Sequence, residues 1–293
     1  LIITLKSNSA IAEIETLGAE LKSFKDVFGT EYIWCGDEKY WARSSPVLFP
    51  IVCSLKNDKT VIDGKEYEMK SHGFARNMEF KVVTKSDDRV TFVLSYCEQT
   101  LEVFPFKFAL QITYKLIENK LHIKYDVINL DDKDMLFFLG THPAFNCPLK
   151  KNEEFSDYIL EFEKNETIAC PYFNKEISAI ENENRKQVLN DEKTLKLNYE
   201  MFKDDALMFE NLSSREVKLY NIKTGRGVEL AFENFNYFGL WTPPNKNAPF
   251  LCLEPWTGVA DYDFEGNEFA KKTAVRNLGV NQKETFSLTI IPL

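Results

Sequence analysis

Between Phe106 and Val127 the chain alternates apolar and polar side chains on both sides of a turn too short to hold a crossover helix. Phe106, Phe108, Leu110, Ile112, Tyr114 and Leu116 interleave with Lys107, Gln111, Thr113 and Lys115. Past Glu118-Asn119-Lys120, Leu121, Ile123, Tyr125 and Val127 interleave with His122, Lys124 and Asp126. Successive side chains of a strand point to opposite faces, so each run buries one face and wets the other. Two such runs joined this closely can pair only antiparallel, because a parallel pair needs a connection of about a dozen residues or more.

The same pattern recurs along the chain. Ile11 to Ile14 and Ala19 to Phe24 flank Leu17-Gly18, and Asp63-Gly64 divides Val61-Ile62 from Lys65-Glu66-Tyr67, a strong local hairpin signal. Further strands are expected at Tyr158 to Phe162, Ala206 to Phe209, Glu216 to Tyr220, Gly227 to Phe232, Tyr237 to Trp241, Phe250 to Glu254 and Thr285 to Ile291. A short helix is predicted from Asp37 to Arg43 with Asp37 as its cap. The polar stretch from Asn174 to Tyr199 reads as a surface excursion. With no long amphipathic helix and no fixed-period repeat, the expected fold is all-β, a large antiparallel β-sandwich forming a single domain over residues 1–293. The 24 Phe, 12 Tyr and 4 Trp must fill a wide core or line a groove.

A formal net charge of -9 disfavours nucleic acid or an anionic membrane as partner. The one basic cluster suggested for a small anion is Arg43, Lys56 and Arg76. Six scattered cysteines without C-x-x-C pairs read as reduced thiols of a cytoplasmic protein. No apolar run approaches a membrane span. Nothing in the pattern fixes an oligomeric state.

The catalytic candidates lie at two prolines. In Phe250-Leu251-Cys252-Leu253-Glu254-Pro255-Trp256 an apolar run ends on a carboxylate, and the proline is expected to stop the strand there, leaving Glu254 at a strand mouth. Partial burial beside Leu253 and Trp256 raises a carboxyl pKa toward the range a general base needs. His142, in Thr141-His142-Pro143, follows the apolar run Met135 to Gly140. Of the other two histidines, His122 falls on a wet strand face. His72, in His72-Gly73-Phe74-Ala75-Arg76, fits a loop hydrogen bond and a binding role equally. Trp241 and Trp256 offer flat faces either to a ring-shaped ligand or to the core. Gly225-Arg226-Gly227 reads as a hairpin turn. Ligand spacing for a metal is lacking around the histidines, and there is no Gly-x-Ser-x-Gly elbow.

The set His72-Gly73-Phe74-Ala75-Arg76, Thr141-His142-Pro143-Ala144-Phe145 and Leu253-Glu254-Pro255-Trp256, with Gly18-Ala19-Glu20-Leu21 and Trp241-Thr242-Pro243-Pro244, resembles the aldose 1-epimerase (galactose mutarotase-like) family, most closely its LacX-type branch. The resemblance implies a β-supersandwich that interconverts sugar anomers without cofactor or metal. Glu254 becomes the base at the C1 hydroxyl and His142 the acid at the ring oxygen. His72, Arg76 and Asp205 become ligands of the sugar, and Trp241 one wall of the site. Where better-studied members carry an arginine, Ser54 stands here. The substrate is then a sugar or sugar phosphate, and a sugar-binding protein without turnover is the other class. The expected geometry sets His142 and Glu254 on opposite sides of one sugar-sized hollow.

Overall fold

In the computed structural model, which describes all 293 residues, the strands Phe108–Ile117 and Lys120–Asn129 pair antiparallel, with Ile117 opposite Lys120 and Phe108 opposite Asn129. They sit in a nine-stranded sheet. Its order runs Ala179–Lys196, Tyr158–Asn174, Glu216–Asn221, Gly227–Glu233, Lys283–Pro292, Lys120–Asn129, Phe108–Ile117, Arg89–Ser95, Lys81–Lys85. A second, six-stranded sheet runs Leu207–Glu210, Tyr237–Trp241, Phe250–Trp256, Gly140–Thr141, Val47–Leu48, with Ala144–Asn146 also paired to Phe250–Trp256. Every paired strand in both sheets is antiparallel. The predicted all-β antiparallel sandwich is the fold observed.

Aromatic side chains join the two sheets. Ring centroids of Phe162 and Phe209 lie 5.7 Å apart, those of Phe232 and Phe238 5.2 Å, and those of Phe49 and Phe108 5.0 Å. Such pairs add about 0.5–1.5 kcal/mol each beyond the area they bury. One continuous cluster of buried apolar side chains runs from Ile3 to Ile290. All six cysteines are unpaired, and no helix is long and apolar enough to cross a membrane.

Three local expectations are overturned. Residues 37–43 form a turn, not a helix. Asp37 Oδ1 accepts the Lys39 N–H at 2.9 Å, and its carbonyl accepts those of Tyr40 and Trp41. Beyond that turn the backbone groups have other partners, since the Trp41 carbonyl accepts the Trp34 indole N–H at 2.9 Å and the N–H groups of Ser44 and Ser45 donate to Glu20 Oε1. The one α-helix is Glu98–Val103. The polar stretch 174–199 is mostly the strand Ala179–Lys196, antiparallel to Tyr158–Asn174 in a long hairpin. As the sheet edge it is wet on both faces over much of its length, which erases the alternation that marks an inner strand.

Pro255 does not end its strand, which continues to Trp256. Successive N–H groups of a strand point to alternate neighbours. Leu253 donates to the Pro143 carbonyl and Thr257 to that of Leu139, so the donor missing at Pro255 falls opposite Thr141-His142-Pro143, where the neighbouring strand is interrupted. The bonds on either side keep one register, so the strand runs on through the proline with a single ladder bond missing opposite Thr141. The two prolines thus mark one gap in the sheet.

Phe49 touches the rings of Phe74, Phe104, Phe108 and Phe137 and is fully buried, whereas Phe28 is 90% exposed. Phe49→Ala is expected to cost about 3–5 kcal/mol and Phe28→Ala less than about 0.5 kcal/mol, measured as midpoint shifts in urea unfolding.

Candidate active site

The strand Phe250–Trp256 is buried along its whole length, so its two faces differ only in what they meet. Leu251 and Leu253 enter the main core, while Phe250 and Cys252 face Trp34, Ala144 and Ala248. Glu254 follows Cys252 on that second face by the two-residue period of a strand. Its carboxylate is 1% exposed. His142 projects from the gap between Gly140–Thr141 and Ala144–Asn146, and its Nε2 lies 3.1 Å from Glu254 Oε2. The two groups are therefore in contact on one wall, not across a hollow as expected.

Above them is a cavity of about 330 Å³. His142, Glu254, His72, Arg76, Asp205 and Trp241 all line it, as does Trp256. All six predicted site residues come together. Trp41, which sequence reasoning missed, stacks on the His142 imidazole with centroids 4.7 Å apart and planes at 28°. Its position inside an expected helix hid it. The long hairpin adds Pro171, Phe173 and Ile180 to the lining. Ile180 is tied there, its N–H donating to the Asp261 carbonyl at 2.8 Å and its carbonyl accepting the Asp263 N–H at 2.9 Å.

Burial dominates the electrostatics. It pushes the Glu254 carboxyl well above the usual range, and the nearby Asp205 carboxylate adds to the rise. The Trp256 indole N–H offsets a little of this without closing a hydrogen bond, and neither Glu254 oxygen has a directed partner in the chain. Burial likewise holds His142 well below its ordinary value, helped by His72 and Arg76. Both shifts favour the neutral form of their group, so burial favours a protonated carboxyl beside a neutral imidazole over an ion pair.

His72 is also pushed down, to about 3, by burial and then by Arg76. The Cys53 N–H donates to its Nδ1 at 3.1 Å, so the ring proton sits on Nε2 and that edge can only donate. Gly73, at φ +68°, leaves no room for a side chain, because a Cβ there would lie 2.3 Å from the Phe49 carbonyl oxygen. Arg76 Nη2 donates to the Ser71 carbonyl at 2.8 Å while its buried Nε has no partner. Asp205 adopts φ 131° and pairs with Lys175 at 3.1 Å.

The expected cation cluster does not form. Arg43 donates to the Arg76 carbonyl and to Asn77 and lies 3.6 Å from Glu20, and Lys56 donates to the carbonyls of Asp263 and Glu265. Only Arg76 of the three lines the cavity. His122 is half-buried against Thr289 rather than fully solvated as expected, and Gly225 and Arg226 lie in a hairpin connection, as expected. Spacing gave no metal-ligand set, yet Cys252 packs beside His142 and Glu254, with donor atoms within 4.8 Å of one another.

Residues 2–276 match the family described as aldose 1-epimerase. The plasmid-encoded Protein LacX of Lactococcus lactis subsp. lactis is 35% identical over 297 residues, covering 99% of each chain. The chromosomal LacX protein of that organism is 34% identical over the same shares. Among solved structures, the galactose mutarotase related enzyme from Lactobacillus acidophilus has a TM-score of 0.95 at 31% identity, covering 100% of this chain and 97% of that one. A galactose mutarotase-like protein from Lactobacillus casei has a TM-score of 0.92 at 31% identity over the whole of both chains.

A histidine with a depressed folded-state pKa contributes stability that is present above its unfolded value near 6.5 and is lost as pH falls toward about 3. His72→Asn is expected to flatten the pH dependence of stability in that window by up to about 1.4 kcal/mol per pH unit. Parallel urea titrations of the two proteins from pH 7 to pH 3 check this, and parallel curves would refute it.

Proposed function

The chain belongs to the aldose 1-epimerase family, and from that premise we propose that it interconverts the α and β anomers of a free aldohexose, with Glu254 and His142 as its acid–base pair. The observation that carries the reading is the 3.1 Å contact between His142 Nε2 and Glu254 Oε2 on the wall of an aromatic-lined cavity of about 330 Å³. The anomeric hydroxyl and the ring oxygen of a sugar share one carbon. An acid and a base that serve both must be close neighbours, so a touching pair suits the reaction better than an opposed one.

The proton count supports a cycle. On substrate binding the shared proton passes from Glu254 to His142. The Glu254 carboxylate then takes the proton of the C1 hydroxyl while the His142 imidazolium protonates the ring oxygen, and the C1 to ring-oxygen bond breaks. Glu254 is now protonated and His142 neutral, which is the state that burial favours in the free pocket. Rotation about the bond from C1 to C2 presents the other face of the aldehyde. The two transfers then run backwards, and the pair returns to where it began. Every proton moves between the sugar and these two side chains, so the cycle balances without a cofactor. Each positioned transfer is worth roughly 10²–10⁴ in rate.

Binding falls to the remaining groups. The His72 Nε2–H and the Arg76 guanidinium donate to sugar oxygens, Asp205 accepts from a hydroxyl, and Trp41 and Trp241 offer apolar ring faces to the sugar's C–H faces. With Arg43 and Lys56 held elsewhere, Arg76 is the one lysine or arginine in the lining, which favours a neutral sugar over a hexose 6-phosphate. The continuous buried cluster from Ile3 to Ile290 supports a single domain, and the unpaired cysteines support a reducing, cytoplasmic setting.

Purified protein is expected to speed the polarimetric relaxation of freshly dissolved glucose or galactose, with a lower kcat/KM for glucose 6-phosphate. Glu254→Gln and His142→Asn are each expected to lower kcat at least about 100-fold with folding intact by circular dichroism. Undiminished activity in either variant would overturn the assignment, and preference for the phosphate would overturn the substrate class.

A further inference from the structure

Cys252 has no part in the proton transfers, yet it completes a set of three buried donors. It precedes Glu254 by two positions on one strand, so both side chains leave the same face, and the interrupted neighbouring strand brings His142 against them. A His142 ring nitrogen, a Glu254 oxygen and Cys252 Sγ lie within 4.8 Å of one another, with Nε2 3.1 Å from Glu254 Oε2. His142 and Glu254 line the cavity and give the set its side of approach, while Cys252 itself is fully buried.

We propose that His142, Glu254 and Cys252 form a binding site for a single divalent cation of the zinc class, which enters from the cavity and blocks the acid–base pair. Three protein donors of N, O and S type with a fourth position open to solvent are the donor set of an open tetrahedral zinc site. Magnesium and calcium want all-oxygen shells of higher coordination number, so a thiolate and an imidazole select against them.

A second observation points the same way. Both Glu254 oxygens are buried without a directed hydrogen bond, and neither a lysine nor an arginine pairs with them. Asp205 makes the surroundings still less hospitable to an uncompensated anion. A bound cation takes the place of the proton that keeps this carboxyl neutral. The exchange also balances, since the cation enters as Glu254 and Cys252 each release a proton to solvent, and the buried site keeps its net charge. Metal binding of this kind requires a deprotonated thiol.

The site is exchangeable, not structural. Tight zinc sites hold the far nitrogen of each histidine with an acceptor, and losing that support costs about 10–100-fold in affinity. His142 Nδ1 has no partner in the chain. The cation therefore competes with catalysis reversibly and leaves with a chelator.

The test is a titration with Co²⁺ alone, in protein carrying Cys35→Ser and Cys97→Ser so that the two exposed thiols are absent. One equivalent is expected to bind with a thiolate-to-cobalt charge-transfer absorption, which Zn²⁺ displaces and EDTA abolishes. Cys252→Ser is expected to remove that absorption and weaken binding at least tenfold, while Cys53→Ser, which alters the thiol lining the cavity, keeps both. In the polarimetric assay Zn²⁺ slows the parent protein and slows Cys252→Ser at least tenfold less sensitively. Absence of one-equivalent binding, or an absorption that survives Cys252→Ser, overturns the proposal. If Cys252→Ser does not fold, Glu254→Gln in the same cobalt titration decides, because unchanged affinity there overturns it equally. The absorption reports binding whether or not the chain turns over sugar.

Discussion

The architecture depends on placing a carboxyl group in the interior of a fully buried strand. Glu254 is 1% exposed and has no arginine or lysine to pair with, and its close polar neighbour is an imidazole that is itself buried. Two isolated charges there would be expensive, so burial favours the neutral form of each group. The sheet must open locally to admit the imidazole. Pro143 and Pro255 lie on the two sides of that opening, and the donor that Pro255 lacks faces the missing stretch of strand.

The surrounding structure keeps this pair buried and aligned. Glu20, itself buried, accepts the N–H groups of Ser44 and Ser45 and so fixes the loop that brings Trp41 over the imidazole. Arg43 links the same glutamate to the Arg76 backbone, which connects that loop to the one bearing His72. On the other side the long hairpin is stitched to residues 261–263 and supplies the apolar wall. A basic residue committed in this way cannot also meet a substrate, which is why Arg43 is structural although its charge and sequence position suggested a ligand.

The strands were legible wherever one face is buried and the other wet. Phe108–Ile117, Lys120–Asn129 and Glu216–Asn221 follow the alternation, and the Asp63-Gly64 turn sits where its backbone preference puts it, with both residues at positive φ. The edge strand Ala179–Lys196 was not legible, because wet residues on both faces leave no period. Neither was the loop around Trp41, whose form is decided by Glu20 and Trp34 rather than by residues within it. All six site residues named from the sequence line one cavity, but the contact between His142 and Glu254 needed the gap in the sheet to be seen. Cys252 read simply as part of an apolar run, since the partner that gives it a second meaning lies far away in sequence.

The protonation state of His142 tests this account most directly. In protein labelled with ¹⁵N at histidine, the ring nitrogens of His142, assigned with His142→Asn, are predicted to report a neutral imidazole throughout the range from pH 5.5 to pH 8. An imidazolium titrating near the ordinary histidine value of about 6.5 would contradict it, because the buried pair would then be an ion pair rather than two groups sharing a single proton.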